Sequence, residues 1–289
     1  MTSPRFFSPA KINLYLWIIG RRADGFHELE TLMLPLAMGD SITCTPEDGS
    51  AIRISCNKPG VPTDETNLVH KAVCILRREF PELEKRGLHI DIEKTTPMGG
   101  GMGGGSSNGA TVLKALNEMW GLGLSTEKLE VLCARLGSDC AFFIRNTAAL
   151  CRGRGEIIEP VEIATKLDLV IINPGFGIST KWSYESLPQY GYPKAPPVQN
   201  LIACLNHGRL DSLQGHLYNT LERPAFDKHL ILPVMRQHLV EAGCVAAMMS
   251  GSGSTLFGVA PSGAAAQNAA SALRARYGEE LLVITTQTL

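Results

Sequence analysis

Six of the seven residues from Gly99 to Gly105 are glycine, and Ser106 and Ser107 follow them. Glycine has no Cβ, so such a loop turns tightly and lets backbone N–H groups come close to a ligand. The residues after the loop carry a helical pattern. A helix start offers unsatisfied N–H groups and the positive end of the dipole, which attract anions. The hydroxyls of Ser106 and Ser107 add to that end, and phosphate binding is the natural chemistry. Two charged residues invite attention alongside it. Asp139 follows Gly137 and precedes CAFFIR, so its carboxylate is either a helix N-cap or a group that takes a proton. Lys11 lies in an alternating segment, so its ammonium either sits on a solvated sheet face or balances charge in a site.

Other readings of the loop are weaker. A P-loop requires G-K-[ST], and Gly105 is followed by Ser106. Gly99, Gly101 and Gly104 formally satisfy the dinucleotide pattern G-x-G-x-x-G, but six glycines make that match nearly automatic. A dinucleotide unit would also continue into a strand ending in an acid, whereas a second helical pattern follows here. Neither HRD nor DFG occurs, which excludes a protein kinase. A flexible Gly/Ser linker fits poorly between two strongly patterned elements.

The elements that must position these residues can be traced along the chain. Ala10, Ile12, Leu14 and Leu16 alternate with Lys11, Asn13, Tyr15 and Trp17, which predicts a strand with one apolar face. Further strands are expected at Leu32–Leu36, Ser41–Thr45, Ile52–Cys56, Leu88–Glu93 and Leu167–Asn173. Thr66–Phe80 reads as a helix. Beyond the glycine loop, Val112, Leu113, Leu116, Met119 and Trp120 mark a helix face that Gly121 and Gly123 terminate. Ser125 should cap the next helix, which carries Leu129, Leu132, Cys133 and Leu136. LCRGRGEIIEPV reads as a junction, and Leu187–Pro197 as a surface loop. The last part predicts a strand, a SGSGS turn and a strand, then a helix over Ala264–Tyr277 and a final strand LLVITT. Strands and helices mix without regular alternation, which favours α+β.

Bulk properties restrict the function classes. A chain of 289 residues suggests about two domains. Hydrophobic content of 44% and charge of 19% are those of an ordinary soluble protein. The net charge of −1, with no Lys/Arg block, argues against nucleic-acid or anionic-membrane partners. The eight cysteines form no CxxC pair and no zinc-finger spacing, so cytosolic, mostly buried thiols are expected. No signal-peptide layout and no apolar span are visible, which predicts a cytoplasmic protein.

Four stretches together resemble the GHMP kinases. PMGGGMGGGSS resembles that superfamily's phosphate-loop motif, and SGSGSTLF, from Ser250 to Phe257, its C-terminal glycine-rich turn. FSPAKINLYLWIIGRRADGFHEL, from Phe7 to Leu29, looks like the opening of the diphosphocytidyl-methylerythritol kinases in particular. LGSDCAFFI, from Leu136 to Ile144, is similar to their LGADVPFFL. TNL at Thr66–Leu68 and GRGE at Gly153–Glu156 extend the likeness, and only Lys181–Glu241 is poorly covered. The sequence departs from the pattern at Ser138, Cys140 and Ala141 around Asp139, at Ser254 in place of a common proline, and at Phe26 where many relatives have tyrosine. Losing the proline at Ala141 loosens a preset backbone angle beside Asp139.

The resemblance implies a two-domain α+β fold with the active site in a cleft, the domains being 1–155 and 156–289. It implies ATP as phosphoryl donor, with Mg²⁺ beside it, and transfer to the 2-hydroxyl of a cytidine diphosphate-bearing methylerythritol in isoprenoid precursor synthesis. Lys11 and Asp139 would be catalytic and adjacent. Asn67, Pro97, Met98, Gly99, Gly100, Gly101, Met102, Gly103, Gly104, Gly105, Ser106 and Ser107 would bind ATP. Asn13, Phe26, His27, Thr180 and Tyr184 would bind the second substrate, and Ser107 is a candidate metal ligand. Rival readings are another GHMP kinase acting on homoserine, mevalonate or a sugar, and a non-catalytic nucleotide-binding relative. GRRADGFH argues against the first, and the retained Lys11, glycine loop and Asp139 against the second.

Overall fold

The alternation over Ala10 to Trp17 lies inside one 17-residue strand in the computed structural model, which describes residues 3–278 and 280–289. In chain order the strands are β1 (Arg5–Arg21), β2 (His27–Glu47), β3 (Ile52–Cys56), β4 (Gly87–Glu93), β5 (Ala149–Gly153), β6 (Ile157–Pro160), β7 (Asp168–Asn173), β8 (Tyr218–Asn219), β9 (Ala246–Met249), β10 (Leu256–Ala260) and β11 (Leu282–Gln287). The helices are α1 (Leu68–Glu79), α2 (Gly104–Met119), α3 (Thr126–Ala134), α4 (Phe142–Arg145), α5 (Thr180–Ser186), α6 (Val198–Asn206), α7 (Glu222–Lys228), α8 (Ile231–Glu241) and α9 (Gly263–Tyr277). Two expectations change. The strands expected at Leu32–Leu36 and Ser41–Thr45 are one continuous β2. LCRGRGEIIEPV is no junction but the β5–β6 hairpin, because Arg152 pairs with Ile157 across a tight Gly153–Glu156 turn.

Packing divides the chain into two compact units. The first takes the segments up to Ala10, Met38–Met98 and Gly103–Thr147. The second takes Lys11–Ala37, Gly99–Met102 and Ala148–Leu289. A single boundary between 155 and 156 separates the chain in sequence, but packing separates it differently. β1 and β2 are long enough for each to contribute one end to either unit, and part of the glycine loop packs with the second.

In the first unit the later half of β2 pairs antiparallel with β4, and β3 lies parallel to β4. Helices α1 and α2 pack on one another, and α3 and α4 pack on α2. Val69, Val73, Leu76, Val112, Leu113, Leu116, Phe142 and Phe143 fill this core. In the second unit the early half of β2 pairs with β5, and β8 lies parallel to β1 through Tyr15–Tyr218 and Leu16–Asn219. A separate antiparallel sheet has the order β11-β7-β10-β9. Helix α8 packs against β9 and β10, and α9 against β7 and β11. Small residues Ala266, Ala269 and Ala270 let α9 approach its sheet closely. Among the described residues no helix is long and apolar enough to cross a membrane.

Candidate active site

The glycine loop connects β4 to α2, as the sequence predicts. Gly99, Gly101 and Gly103 adopt positive φ values of 62°, 78° and 68°, a conformation costly for residues with a Cβ. Gly103 is the N-cap of α2 and has no side chain with which to cap it, so the first N–H groups of a 16-residue helix remain available to an anion. A Cβ added at Gly105 would meet no atom within 4 Å, so packing does not explain this exposed glycine. Ser106 is half-buried at the same end, and Pro97 and Met98 lead into the loop.

Within the second unit the loop is tied to the chain's other motifs. Lys11 is 3% exposed, which rules out the solvated-face reading. Its Nζ donates to Asn13 Oδ1 at 2.6 Å and to the Gly101 carbonyl at 3.1 Å. Asn13 Nδ2 donates to Thr31 Oγ1 at 2.8 Å, so both ends of this amide are held inside the unit and it orients Lys11. The Lys11 N–H donates to the Met102 carbonyl. The Ser250 hydroxyl donates to the Gly101 carbonyl at 2.9 Å, and the Thr255 N–H to that of Gly100. The SGSGS turn and the Thr255 that follows it therefore hold the carbonyls of Gly100 and Gly101, through one side-chain hydroxyl and one backbone N–H. Asn219 Nδ2 braces the turn by donating to the carbonyls of Met249 and Gly251 at 2.8 and 2.9 Å. Thr31 and Asn219 escape a reading of the sequence because single polar residues in apolar strands give no signal.

Asp139 sits half-buried in the turn between α3 and α4 of the first unit. The N-cap of α4 is Ala141, with no side-chain cap. Asp139 is therefore not the N-cap residue of α4. Asn67 does act as a cap: its Oδ1 accepts from the Val69 N–H at 3.0 Å, and its Nδ2 donates to the Pro62 carbonyl. Ser107 is fully buried, and its hydroxyl oxygen accepts from Ser8 at 2.9 Å. Among the described residues no group of three His, Cys, Asp or Glu side chains forms a metal site.

The remaining substrate candidates lie in the second unit. Phe26 is 53% exposed, so it is not a core residue, and the Arg154 guanidinium stacks 4.6 Å from its ring centre. His27 Nε2 is 3.2 Å from the Tyr192 hydroxyl, and its ring lies 5.0 Å from that of Tyr184, tilted by 46°. Burial and the charge of Arg21 lower the His27 pKa, which favours the neutral ring. Thr180 begins α5, and its hydroxyl is 3.0 Å from that of Ser252 in the SGSGS turn. Tyr15 and Trp17 donate to the carbonyls of Pro196 and Pro193, which pins the loop carrying Tyr192 to β1. Arg154 and Tyr192 are additions that sequence spacing alone does not reveal.

Glu222 supports the SGSGS turn from below by accepting from the Met249 N–H at 2.9 Å. Burial pushes its carboxyl up to about 7, although that N–H and the Arg236 charge act the other way. A value raised above the ordinary 4.5 means that the folded state holds the proton more tightly. The stability this gives is present below pH 4.5 and is lost as pH rises toward 7. The side chain keeps 16% of its surface. The linked loss is therefore at most about 3 kcal/mol. Glu222→Gln should lack this component, so urea unfolding of both proteins at pH 5 and pH 8 should show a wild-type decline that the variant does not share. Parallel pH profiles would refute the assignment.

Residues 67–147 match the family model "GHMP kinases N terminal domain", and residues 201–279 match "GHMP kinases C terminal". The 4-diphosphocytidyl-2-C-methyl-D-erythritol kinase of Clostridium perfringens is 37% identical over 276 residues, covering 96% of this chain and 95% of its own. A crystal structure of 4-(cytidine 5'-diphospho)-2C-methyl-D-erythritol kinase superimposes with a TM-score of 0.84 at 31% identity, covering 99% of this chain and all of the other. A homoserine kinase from Cytophaga hutchinsonii shares the fold, with a TM-score of 0.74, 18% identity and coverage of 100% and 95% of the two chains. The glycine loop, the SGSGS turn and the full-length likeness converge: the chain is a kinase of the GHMP superfamily and belongs, within it, to the 4-diphosphocytidyl-2-C-methyl-D-erythritol kinase family.

Proposed function

We propose that the protein transfers the γ-phosphate of ATP to the 2-hydroxyl of 4-diphosphocytidyl-2-C-methyl-D-erythritol, in the cytoplasm, as a step of non-mevalonate isoprenoid precursor synthesis. The observation that carries this reading is the buried Lys11 ammonium, fixed on the carbonyl of a phosphate-loop glycine. Phosphoryl transfer depends mainly on positioning and on offsetting charge at the transferred group. The N–H groups of the loop and of the α2 start hold the phosphates. Lys11 offsets the negative charge that develops during transfer. Asp139 orients the attacking hydroxyl and accepts its proton as the new P–O bond forms and ADP leaves. Mg²⁺ bound to the ATP phosphates would neutralise part of their charge, and Ser107 at the start of α2 would be the side chain to hold it.

Selection of the second substrate falls to Phe26, His27, Tyr184 and Thr180. A cytosine ring needs an aromatic face and polar partners at its edge. Phe26, half exposed, offers a face, and neutral His27 an edge contact. Base–aromatic stacking contributes about 1–3 kcal/mol, so Phe26→Ala should raise KM about 5- to 150-fold. His27→Ala should reduce the preference for the cytidylyl over the uridylyl substrate. The function itself is tested by coupled ATP turnover with the cytidylyl substrate beside homoserine, mevalonate and galactose. Selective turnover of the first is expected. Preference for one of the others would move the chain to a different GHMP activity, and no turnover with any would favour a non-catalytic relative.

A further inference from the structure

Beneath the start of α2, in the first unit, lies a buried ionic network that the reaction does not call upon directly. Asp40 is fully buried and Lys94 is 6% exposed, and they pair at 2.5 Å. Each donor and acceptor of the pair is used. Lys94 Nζ also donates to Thr96 Oγ1 at 2.9 Å and to Asn108 Oδ1 at 3.3 Å. Asp40 accepts from the N–H groups of Thr95 and Thr96, each at 2.9 Å, from the Thr96 hydroxyl and from Asn108 Nδ2. Asn108 Nδ2 also donates to Ser8, whose hydroxyl donates to Ser107. Burial would raise the Asp40 carboxyl, but the Lys94 charge and these hydrogen bonds outweigh it and hold it below the usual carboxylate range.

The network reaches the phosphate loop at one point. A Cβ on Gly104, the first residue of α2, would lie 2.4 Å from Thr96 Oγ1 and 3.0 Å from Lys94 Nζ. The helix start therefore rests directly on the network, with no room for a methyl group between them. Ser107 and Asn108, one turn on, are tied to the same groups. An ordinary core ion pair needs no such seat, since burying a pair is at best weakly stabilising compared with apolar packing. What this one provides is a fixed position for the N–H groups that meet phosphate.

We propose that Lys94 and Asp40 are positioning residues for ATP, acting through Thr96 and Gly104 to set where the N-terminus of α2 meets the phosphates. The inference rests on the kinase reading above. Lys94→Met, Asp40→Asn and the double variant Asp40→Asn/Lys94→Gln, which leaves no lone buried charge, would be compared with wild type. A thermal melt supplies the folded fraction. Affinity for a non-hydrolysable ATP analogue is measured by calorimetry, separately from turnover. Misplacement of a binding group by about 1 Å costs up to about 100-fold, so a 10- to 100-fold loss of analogue affinity is expected. KM for the second substrate should stay close to wild type. Gly104→Ala should reproduce the loss, and adding Thr96→Ala should restore part of it by removing the closest contact.

Wild-type analogue affinity in the folded fraction of the double variant would overturn the proposal and leave an ordinary core ion pair. So would a Gly104→Ala defect that Thr96→Ala does not relieve, which remains readable even where the charge variants fail to fold. A wrong assignment of the acceptor substrate would appear differently. Wild type would then bind the analogue normally yet fail to phosphorylate the cytidylyl compound.

Discussion

Asp139→Asn is expected to lower kcat by about 10²- to 10⁴-fold while leaving the KM for each substrate nearly unchanged. Asparagine keeps the size of the side chain and much of its hydrogen bonding, but it cannot accept the proton that the attacking hydroxyl must lose. An interaction used mainly in the transition state shows itself in kcat rather than in KM. The principal structural alternative was a helix cap, whose loss would cost stability. Ala141, not Asp139, occupies the N-cap of α4. A thermal melt supplies the folded fraction of the variant, to which the kinetic loss is referred. Steady-state kinetics with both substrates and a thermal melt decide the matter. Near-wild-type kcat would remove Asp139 from the reaction, and a fall in stability with unchanged kcat would make it a structural residue of the α3–α4 turn.

The sequence was most legible where chemistry constrains the backbone. The glycine loop, its position between a strand and a helix, and the SGSGS turn follow from residue types that few other conformations demand. Helix α2 was visible because its apolar residues recur at helical spacing, and α9 because its segment is rich in alanine, a strong helix former. The β5–β6 hairpin was not, since Arg152, Arg154 and Glu156 resemble a linker. Arg152 instead pairs across strands with Glu30 and Glu159, while Arg154 and Glu156 pair with each other within the turn. Lys11 shows a related failure. Strict alternation implied one wet face, yet Lys11, Asn13 and Tyr15 are as buried as Ile12 and Leu14. A strand covered on both faces keeps polar residues only where each has a partner, and those partners, Thr31, Gly101 and Pro196, are distant in sequence. The Asp40–Lys94 network was hidden for the same reason, because a pair 54 residues apart leaves no spacing signature.

Gly101→Ala should abolish ATP-dependent turnover almost completely, with at least about a 100-fold loss of kcat/KM, because it displaces a binding group by more than the site tolerates. Two effects coincide at this residue. Its φ of 78° is one that an L side chain occupies only with strain. The added Cβ would also lie 2.0 Å from the Ser250 carbonyl oxygen and 3.2 Å from the Gly253 nitrogen, both backbone atoms that no rotamer change can move aside. Relief requires the loop to lift from the SGSGS turn. Lifting it carries away the Gly101 carbonyl, which accepts from Lys11 Nζ and from the Ser250 hydroxyl, so Lys11 loses a partner that fixes its ammonium. One methyl group thus disturbs both the glycine loop and the Lys11 ammonium that the proposed reaction uses. Ser250→Ala, which removes only the hydroxyl, separates these causes: it should lower kcat/KM far less, since the loop stays seated. The measurements are analogue affinity and steady-state kinetics for both variants, corrected for folded fraction by a melt. If folded Gly101→Ala binds the analogue as wild type does, the loop does not meet ATP at Gly101. If Ser250→Ala is equally damaging, the hydroxyl rather than the close backbone approach controls the site.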